Sequence, residues 1–267
     1  MAETATERPR PRGRGGLTLA GGFAGLAGAV RRGWEYPLFY LLLLLFGLMS
    51  LAWSLTAALL DPLLPRRIAR PLGRFAIRSG FRGYLGVLRA CGILKTDLSA
   101  LDALKGDEGL VLCPNHPSLL DAVLLISHLP NVACIAKAKV YDNLCLGGGA
   151  RMAGYIRNDS PASLVKLAAR EVRAGRQLLI FPEGTRTARP PVGALKGGFA
   201  LIAKTAGAPV QTVLIDTNTR FLGKGWPLFR KPEFPLVYTV RLGRRFEPPA
   251  DVRRLVDDLE GYYRSQL

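Results

Sequence analysis

Histidine is almost absent from the 267-residue sequence, which contains only His116 and His128. Two histidines twelve positions apart do not supply a histidine-rich metal centre, and the four cysteines form no Cys-x-x-Cys pair. A chain of this length does not depend on disulfides for its core. We therefore expect the cysteines to be small buried side chains in a reducing compartment, and we expect no metal site or bound cofactor. An all-oxygen metal site stays open.

Two catalytic signatures are also missing. The sequence has no Gly-x-Ser-x-Gly motif, so a serine-hydrolase elbow has no support. The triple glycine at 147–149 is not followed by Gly-Lys-Ser or Gly-Lys-Thr, which argues against a nucleotide-binding loop.

Acidic residues are scarce, with 20 Asp and Glu against 37 Lys and Arg, for a formal charge of +17. Such a charge favours polyanionic partners: nucleic acid, an anionic membrane surface, acidic proteins or phosphorylated ligands. The basic residues are not interleaved with the aromatic platforms of a single-strand binder, so we expect no nucleic acid partner.

One long apolar run favours a membrane instead. No charged residue lies between Glu35 and Asp61, and a helix of this length is about 37 Å long, against roughly 30 Å of bilayer hydrocarbon. Trp34, Tyr36 and Tyr40 stand near its start, as aromatic residues do at membrane interfaces. We predict a membrane anchor at 36–62, preceded by a basic N-terminal segment at 1–35.

Arginines flank the anchor on both sides, so the positive-inside rule gives little contrast. A shorter apolar stretch at 16–30 suggests, as a hypothesis, a shallow hairpin that enters and leaves one face. After the anchor, an arginine recurs at every fourth position: Arg66, Arg70, Arg74, Arg78 and Arg82. This spacing predicts basic amphipathic interfacial helices at 63–98 lying on anionic headgroups, with a merely solvated face as the alternative.

The remaining residues, 99–267, alternate between short apolar runs and amphipathic stretches. Strands are predicted at 109–113, 132–136, 176–181, 208–216 and 234–243, and helices at 117–129, 163–175, 195–207 and 251–267. This alternation predicts an α/β fold, a mixed, mostly parallel sheet flanked by helices.

The stretch "CPNHPSLLD" places His116 just after a predicted strand, where α/β sheets carry ligand sites. With Pro117 as the first helical residue, His116 lies at the helix cap and Asp121 one turn further on. The Asp121 carboxylate then fixes the imidazole tautomer and stabilises the protonated ring. Such a pair without a protein nucleophile suits activation of a substrate hydroxyl.

A second polar stretch, "LLIFPEGTRT", runs from a buried strand into a turn. Gly184 permits a tight backbone path, and Arg186 offers a planar fork that suits phosphate. Lys196 opens the next predicted helix, where main-chain N–H groups favour anions. A salt-bridged turn is the plainer interpretation of Glu183 and Arg186.

Together, "NHPSLLD" and "FPEGTRT" resemble the first and third motifs of the glycerolipid acyltransferase family, and "LKGGFALIAKTAGAPV" follows as the family's lysine-and-glycine helix does. The resemblance covers roughly residues 100–220. It implies that His116 is the general base and Asp121 its partner. It also implies a set of residues that bind substrate: Asn115, Ser118, Arg157, Glu183, Gly184, Thr185, Arg186 and Lys196.

Two departures from the family pattern concern the acceptor pocket. In "GYIRND", Arg157 directly follows Ile156, and Asp159 stands near the position expected for an arginine. Pro209 is followed by Val210 rather than leading to a second proline. The acceptor is accordingly left open between lysophosphatidate, another lysophospholipid and a specialised lipid such as an aryl polyene precursor.

The resemblance implies an acyltransferase that uses acyl-CoA or an acidic acyl-carrier protein as co-substrate and membrane lipids as partners. The expected location is a bacterial inner membrane, with a cytoplasmic acyltransferase domain at 99–267. Two rival functions are a non-catalytic membrane protein that binds anionic lipid and a metal hydrolase.

Overall fold

The structure, a computed structural model, describes residues 19–159 and 161–267, with side chains for 33–159 and 163–267. The basic residues predicted to precede the anchor, from Arg8 to Arg32, therefore lie outside the described side chains. The described residues up to 41 and residues 42–267 form two separate units.

Helix α1 (Leu19–Leu60) contains the long apolar run. Its segment Gly33–Leu60, which contains an 18-residue window with a mean hydropathy of 2.2, is long and apolar enough to cross a membrane by length and composition. The helix is assigned from residue 19 to residue 60, and the hairpin stays a hypothesis.

Helix α2 (Arg66–Ala90) packs against the domain that follows it. Gly73 permits this close approach, because a Cβ there would lie 2.6 Å from the backbone nitrogen of Ala153. Arg70 and Arg74 pair with Glu171, and Arg78 donates to the carbonyl of His128. The prediction that the whole arginine stripe lies on headgroups is therefore wrong for Arg70 and Arg74, which pair with an acid of the protein, whereas Arg78 is only partly buried.

Seven strands form one sheet in the order β1-β7-β6-β2-β5-β3-β4. Every neighbouring pair is parallel except β6 with β7, which confirms the predicted mixed, mostly parallel sheet. The strands are β1 (Leu94–Asp97), β2 (Val111–Pro114), β3 (Val132–Lys137), β4 (Ile156–Asn158), β5 (Gln177–Leu179), β6 (Val210–Thr217) and β7 (Leu236–Phe246).

Helices flank this sheet, as predicted. They are α3 (Leu120–His128), α4 (Ala138–Tyr141), α5 (Gly147–Met152), α6 (Pro161–Arg173), α7 (Gly198–Ala206) and α8 (Val252–Gln266), with a 3-10 helix at Ser99–Leu104. The triple glycine lies in α5, where a Cβ on Gly148 would overlap the backbone carbonyl of Ser54 in α1. These glycines therefore serve helix packing.

The main core lies between the sheet and α6, α7 and α8, around side chains such as Phe199, Leu178 and Tyr263. The Tyr263 hydroxyl donates to the carbonyl of Cys113 at the end of β2 and so ties α8 to the strand that precedes His116. Cys113 and Cys134 are buried as predicted, whereas Cys91 is exposed because it follows the end of α2.

Candidate active site

His116 lies in a loop at the carboxyl edge of the sheet, two residues after β2 ends. Helix α3 begins at Leu120 and not at Pro117, so the predicted position of His116 at a helix cap is wrong. Ser118 holds this loop in place through one distant and one local hydrogen bond. Its hydroxyl donates to the carbonyl of Phe221 at 2.9 Å and accepts from the Leu120 N–H at 3.2 Å.

The imidazole and the carboxylate of the predicted pair meet. His116 Nδ1 lies 2.9 Å from Asp121 Oδ2, which also accepts the Ser118 N–H at 2.8 Å. A carboxylate at Nδ1 keeps the proton there, which leaves Nε2 with its lone pair as the basic atom. The ring of Phe181 stacks on the imidazole with centroids 3.6 Å apart, so carboxylate and aromatic ring together fix the plane of the base.

Asp121 is fully buried and His116 is 9% exposed. Burial raises the pKa of Asp121 to about 6, while its hydrogen bond with His116 lowers it and the nearby charge of Glu183 raises it. Asp121 Oδ1 is buried without a hydrogen-bond partner among the described residues. The anion therefore depends on the Ser118 N–H and on the His116 ring for its stabilisation.

Asn115 and Ser118 are buried and directed into the protein. The Asn115 side chain donates to the carbonyl of Ile215 at 3.0 Å and accepts from the Ile215 N–H at 2.7 Å, which fastens the loop to β6. With Ser118 bonded to Phe221, these contacts give both residues a structural role. The substrate contacts predicted for them from the sequence stay predictions.

Glu183 connects three segments beneath the base. It is 3% exposed and accepts the His116 N–H at 3.3 Å, the Thr187 hydroxyl at 2.6 Å and the Gly193 N–H at 2.9 Å. The Thr187 N–H also donates to the carbonyl of His116 at 2.7 Å. The two motifs, which are some seventy residues apart in sequence, are thus bonded to each other directly, and Glu183 positions the loops.

Arg186 is half-buried at the same turn. Its Nη1 donates to the carbonyls of Leu222 and Gly223, each at 2.8 Å. Its other nitrogens make no hydrogen bond within the described part of the chain, so one edge of the guanidinium can meet an anion.

Gly184 and Lys196 lie side by side at this turn, and Thr185 is half-buried between Gly184 and Arg186. Gly184 has φ +66°, and a Cβ there would come within 3.0 Å of Lys196 Cδ and 3.1 Å of Nζ. Helix α7 begins at Gly198, so Lys196 precedes the helix that it was predicted to open, and its side chain is exposed. The structure thus places the cations Arg186 and Lys196 at the turn that is hydrogen-bonded to the His116 backbone.

Arg157 does not join this group. It lies on β4, three strands away from β2, which is about 14 Å at the usual strand spacing. Its guanidinium pairs with Asp142 at 3.0 Å and with Asp159. The predicted substrate contact of Arg157 has no counterpart in this arrangement.

Two contributors escaped sequence reasoning: the ring of Phe181 and the backbone of residues 221–223. Phe181 ends an apolar run and gave no sign of stacking on a histidine. The 221–223 carbonyls accept hydrogen bonds from Ser118, Leu119 and Arg186, contacts that connect residues up to 103 positions apart.

A family model described as Acyltransferase matches residues 95–216. A chloroplastic 1-acyl-sn-glycerol-3-phosphate acyltransferase of Brassica napus is 31% identical over 137 residues, 49% of this chain and 40% of that protein. A chloroplastic enzyme of the same name from Arabidopsis thaliana is 30% identical over 46% of this chain and 37% of that protein. The chain thus spans about two fifths of the length of these plant relatives.

Two bacterial proteins are similar over more of the chain. A 1-acyl-sn-glycerol-3-phosphate acyltransferase of Pseudomonas aeruginosa is 22% identical over 83% of this chain and 84% of that protein. The crystal structure of the 1-acyl-sn-glycerophosphate acyltransferase PlsC from Thermotoga maritima superposes with a TM-score of 0.65 at 20% identity. The match covers 89% of this chain and 95% of that one. The structural likeness shows a shared fold.

Proposed function

We propose that this chain, which belongs to the glycerolipid acyltransferase family, transfers a fatty acyl group to the free hydroxyl of a lysophospholipid, with 1-acylglycerol 3-phosphate as the acceptor. One observation supports this most strongly. A histidine–aspartate pair at 2.9 Å is bonded through the His116 backbone to a turn that carries Arg186 and lies against Lys196. A base for a hydroxyl thus stands next to cations for a phosphate.

The chemistry follows from the orientation of the imidazole. Nε2 of His116 takes the proton of the acceptor hydroxyl, and the oxygen attacks the carbonyl carbon of the acyl thioester. The tetrahedral intermediate then collapses, the carbon–sulfur bond breaks, and the imidazolium returns its proton to the thiolate. Asp121 stabilises the imidazolium between these steps, and proton transfer of this kind contributes about 10²–10⁴-fold to the rate.

The acceptor's phosphate is expected to contact Arg186 and Lys196. The free edge of the Arg186 guanidinium suits two phosphate oxygens, and Lys196 adds a mobile point charge. Glu183, by contrast, is occupied by its three donors, so we assign it to positioning the loops and not to the headgroup.

The donor is expected to be acyl-CoA or acyl-carrier protein, since a chain of net charge +17 attracts both the phosphates of CoA and an acidic carrier. The part of α1 in residues 42–60 carries the exposed side chains Leu44, Leu45, Leu48, Leu55 and Leu59, which suit lipid contact. This favours a membrane enzyme, and we expect a bacterial inner membrane with the domain on its cytoplasmic side.

The proposal is tested with purified protein in neutral detergent and labelled acyl-CoA or acyl-carrier protein. Acceptors are lysophosphatidate, lysophosphatidylethanolamine and glycerol 3-phosphate. We expect labelled phosphatidate to form fastest, with a rate that a chelator does not change. Absence of transfer to any lysophospholipid from either donor would contradict the proposal and favour a lipid-binding protein. Loss of turnover on chelation would favour the metal hydrolase.

A further inference from the structure

A polar cavity lies at the opposite edge of the sheet from His116. It has a volume of about 180 Å³ and is lined by Arg74, Arg78 and Arg176, with Asn131, Phe75 and two prolines. Asn131 and Arg176 directly precede β3 and β5, whereas His116 follows the carboxyl end of β2, which is parallel to β5. The cavity is therefore separate from the site of acyl transfer.

Positive charge exceeds negative charge around this cavity. Its lining residues include no carboxylate, and the nearby acid is the buried Glu171. Glu171 serves three guanidiniums at once: Arg70 at 3.0 Å, Arg74 at 2.9 Å and Arg176 at 3.1 Å. The single negative charge of Glu171 therefore neutralises one of the three positive charges around it.

Arg78 has no carboxylate partner in the described part of the chain. Its Nη2 reaches the carbonyl of His128 at a long 3.3 Å, and its Nε is buried without a hydrogen-bond partner there. Burial lowers the pKa of this guanidinium, and the like charge of Arg82 adds to the effect. A partly buried cation without a carboxylate partner is stabilised by an anion that enters the cavity.

Helix packing explains only part of this arrangement. The pairs of Glu171 with Arg70 and Arg74 join α6 to α2 and need no ligand. These pairs do not explain why Arg78 and Arg176 face a shared cavity. Packing alone would favour apolar side chains at these two positions.

We propose that this cavity binds a phosphate group, with Arg78 and Arg176 as its main ligands and Asn131 at the rim. The terminal N–H groups of a guanidinium form charge-assisted hydrogen bonds with phosphate oxygens. The phosphate belongs either to an anionic lipid headgroup or to a soluble phosphomonoester. Phe75 in the lining is 63% exposed, and the neighbouring apolar residues Leu72 and Ile68 on α2 are exposed as well. These apolar side chains favour a lipid headgroup as the source of the phosphate.

The test uses three single-site variants in neutral detergent and measures the shift of the thermal unfolding midpoint with ligand concentration. Arg78→Gln removes the unpaired guanidinium. Asn131→Asp is isosteric and adds a carboxylate to the lining, and because Asn131 is exposed this variant is expected to fold regardless of Arg78→Gln. Arg82→Gln is the matched control, with the same charge change one helical turn further along α2.

Inorganic phosphate is the soluble probe, and short-chain phosphatidic acid, compared with short-chain phosphatidylcholine, is the lipid probe. We expect Arg78→Gln and Asn131→Asp each to weaken binding of a phosphate probe about tenfold or more, since a hydrogen bond to a charged group contributes about 1.5–3 kcal/mol. Arg82→Gln should stay within about twofold of the wild type.

A response to phosphatidic acid without one to inorganic phosphate supports a headgroup site, and a response to both supports a site for phosphate from either source. Equal responses in all four proteins, or no response in any, would overturn the proposal and leave the arginines as packing groups. Neither outcome bears on the proposed acyl transfer, because Arg78 and Asn131 lie at the edge of the sheet remote from His116.

Discussion

Replacement of Asp121 by asparagine is predicted to raise stability and lower activity together. Asp121 Oδ2 accepts both the Ser118 N–H and the His116 N–H, so the amide oxygen of asparagine takes the same place and both bonds remain. The negative charge that stabilises the imidazolium is lost. Because hydrogen bonds to charged groups contribute about 1.5–3 kcal/mol, we expect transfer to slow by about 10²-fold.

The stability change follows from the raised pKa of Asp121. The pKa is about 6 in the folded protein against 3.8 for the free side chain, which corresponds to about 3 kcal/mol. A carboxyl whose pKa rises on folding retains its proton more readily in the folded state. The contribution of Asp121 to stability is therefore most favourable below pH 4 and falls as pH rises to about 6. Above pH 6 the full cost of burying the charge is present.

Asparagine mimics the neutral acid and removes this cost. At pH 7 the free energy of unfolding of the Asp121→Asn protein should exceed that of the wild type by up to about 3 kcal/mol. For a domain of this size, each kcal/mol raises the melting midpoint by roughly 2–4 °C. The gain should shrink towards zero at pH 4. Asp142→Asn is the matched control, an exposed aspartate whose loss is expected to change stability by less than about 1 kcal/mol.

The measurements are thermal unfolding from pH 4 to 8 and acyl-transfer rates for the three proteins. An Asp121→Asn protein that is less stable at pH 7, or one that transfers acyl groups at the wild-type rate, would refute the reasoning about the buried carboxylate.

Three further changes test other parts of the account. Gly184→Ala forces a side chain to φ +66° and against Lys196, so we expect a loss of about 1–2 kcal/mol of stability by thermal unfolding and a higher KM for the acceptor; an unchanged KM would contradict the placement of this turn. Arg186→Lys keeps the charge but loses the fork, and is expected to raise the acceptor KM about tenfold in steady-state assays, with the donor KM unchanged; equal effects on both would argue against a headgroup contact. Glu171→Gln leaves Arg74 buried without its carboxylate and should cost about 3–5 kcal/mol by thermal unfolding, while the transfer rate of the protein that stays folded is retained; an unchanged melting midpoint would refute it.

Much of the fold could be predicted from the sequence because its signals are local. Apolar runs such as 109–113 and 208–216 bury both faces of a central strand, and glycines such as Gly207, with φ +67°, end the helices between them. The edge strands β1 and β4 were missed because "LKTD" and "IRN" are short and half polar. An edge strand needs only one partner and leaves little hydrophobic pattern.

The site also contains local contacts that the sequence could indicate and long-range contacts that it could not. His116 and Asp121 are five residues apart, so their pairing is a local matter that the spacing could indicate. The role of Glu183 depends on donors from three separate segments, and that of Ser118 on a carbonyl 103 residues away. Arg74 and Arg82 belong to one stripe in sequence, and the distant Glu171 and the carbonyl of Ala153 hold Arg74 inward.

The most direct test of the account compares His116→Ala with His128→Ala, since these are the two histidines of the chain. His128 is at the far end of α3 and pairs with Asp102, so its loss should leave transfer near the wild-type rate. The rate of labelled phosphatidate formation by His116→Ala should fall at least 10²–10⁴-fold, with the protein still folded and still associated with membranes. A near-normal rate in His116→Ala would contradict the claim that this imidazole removes the proton of the acceptor hydroxyl.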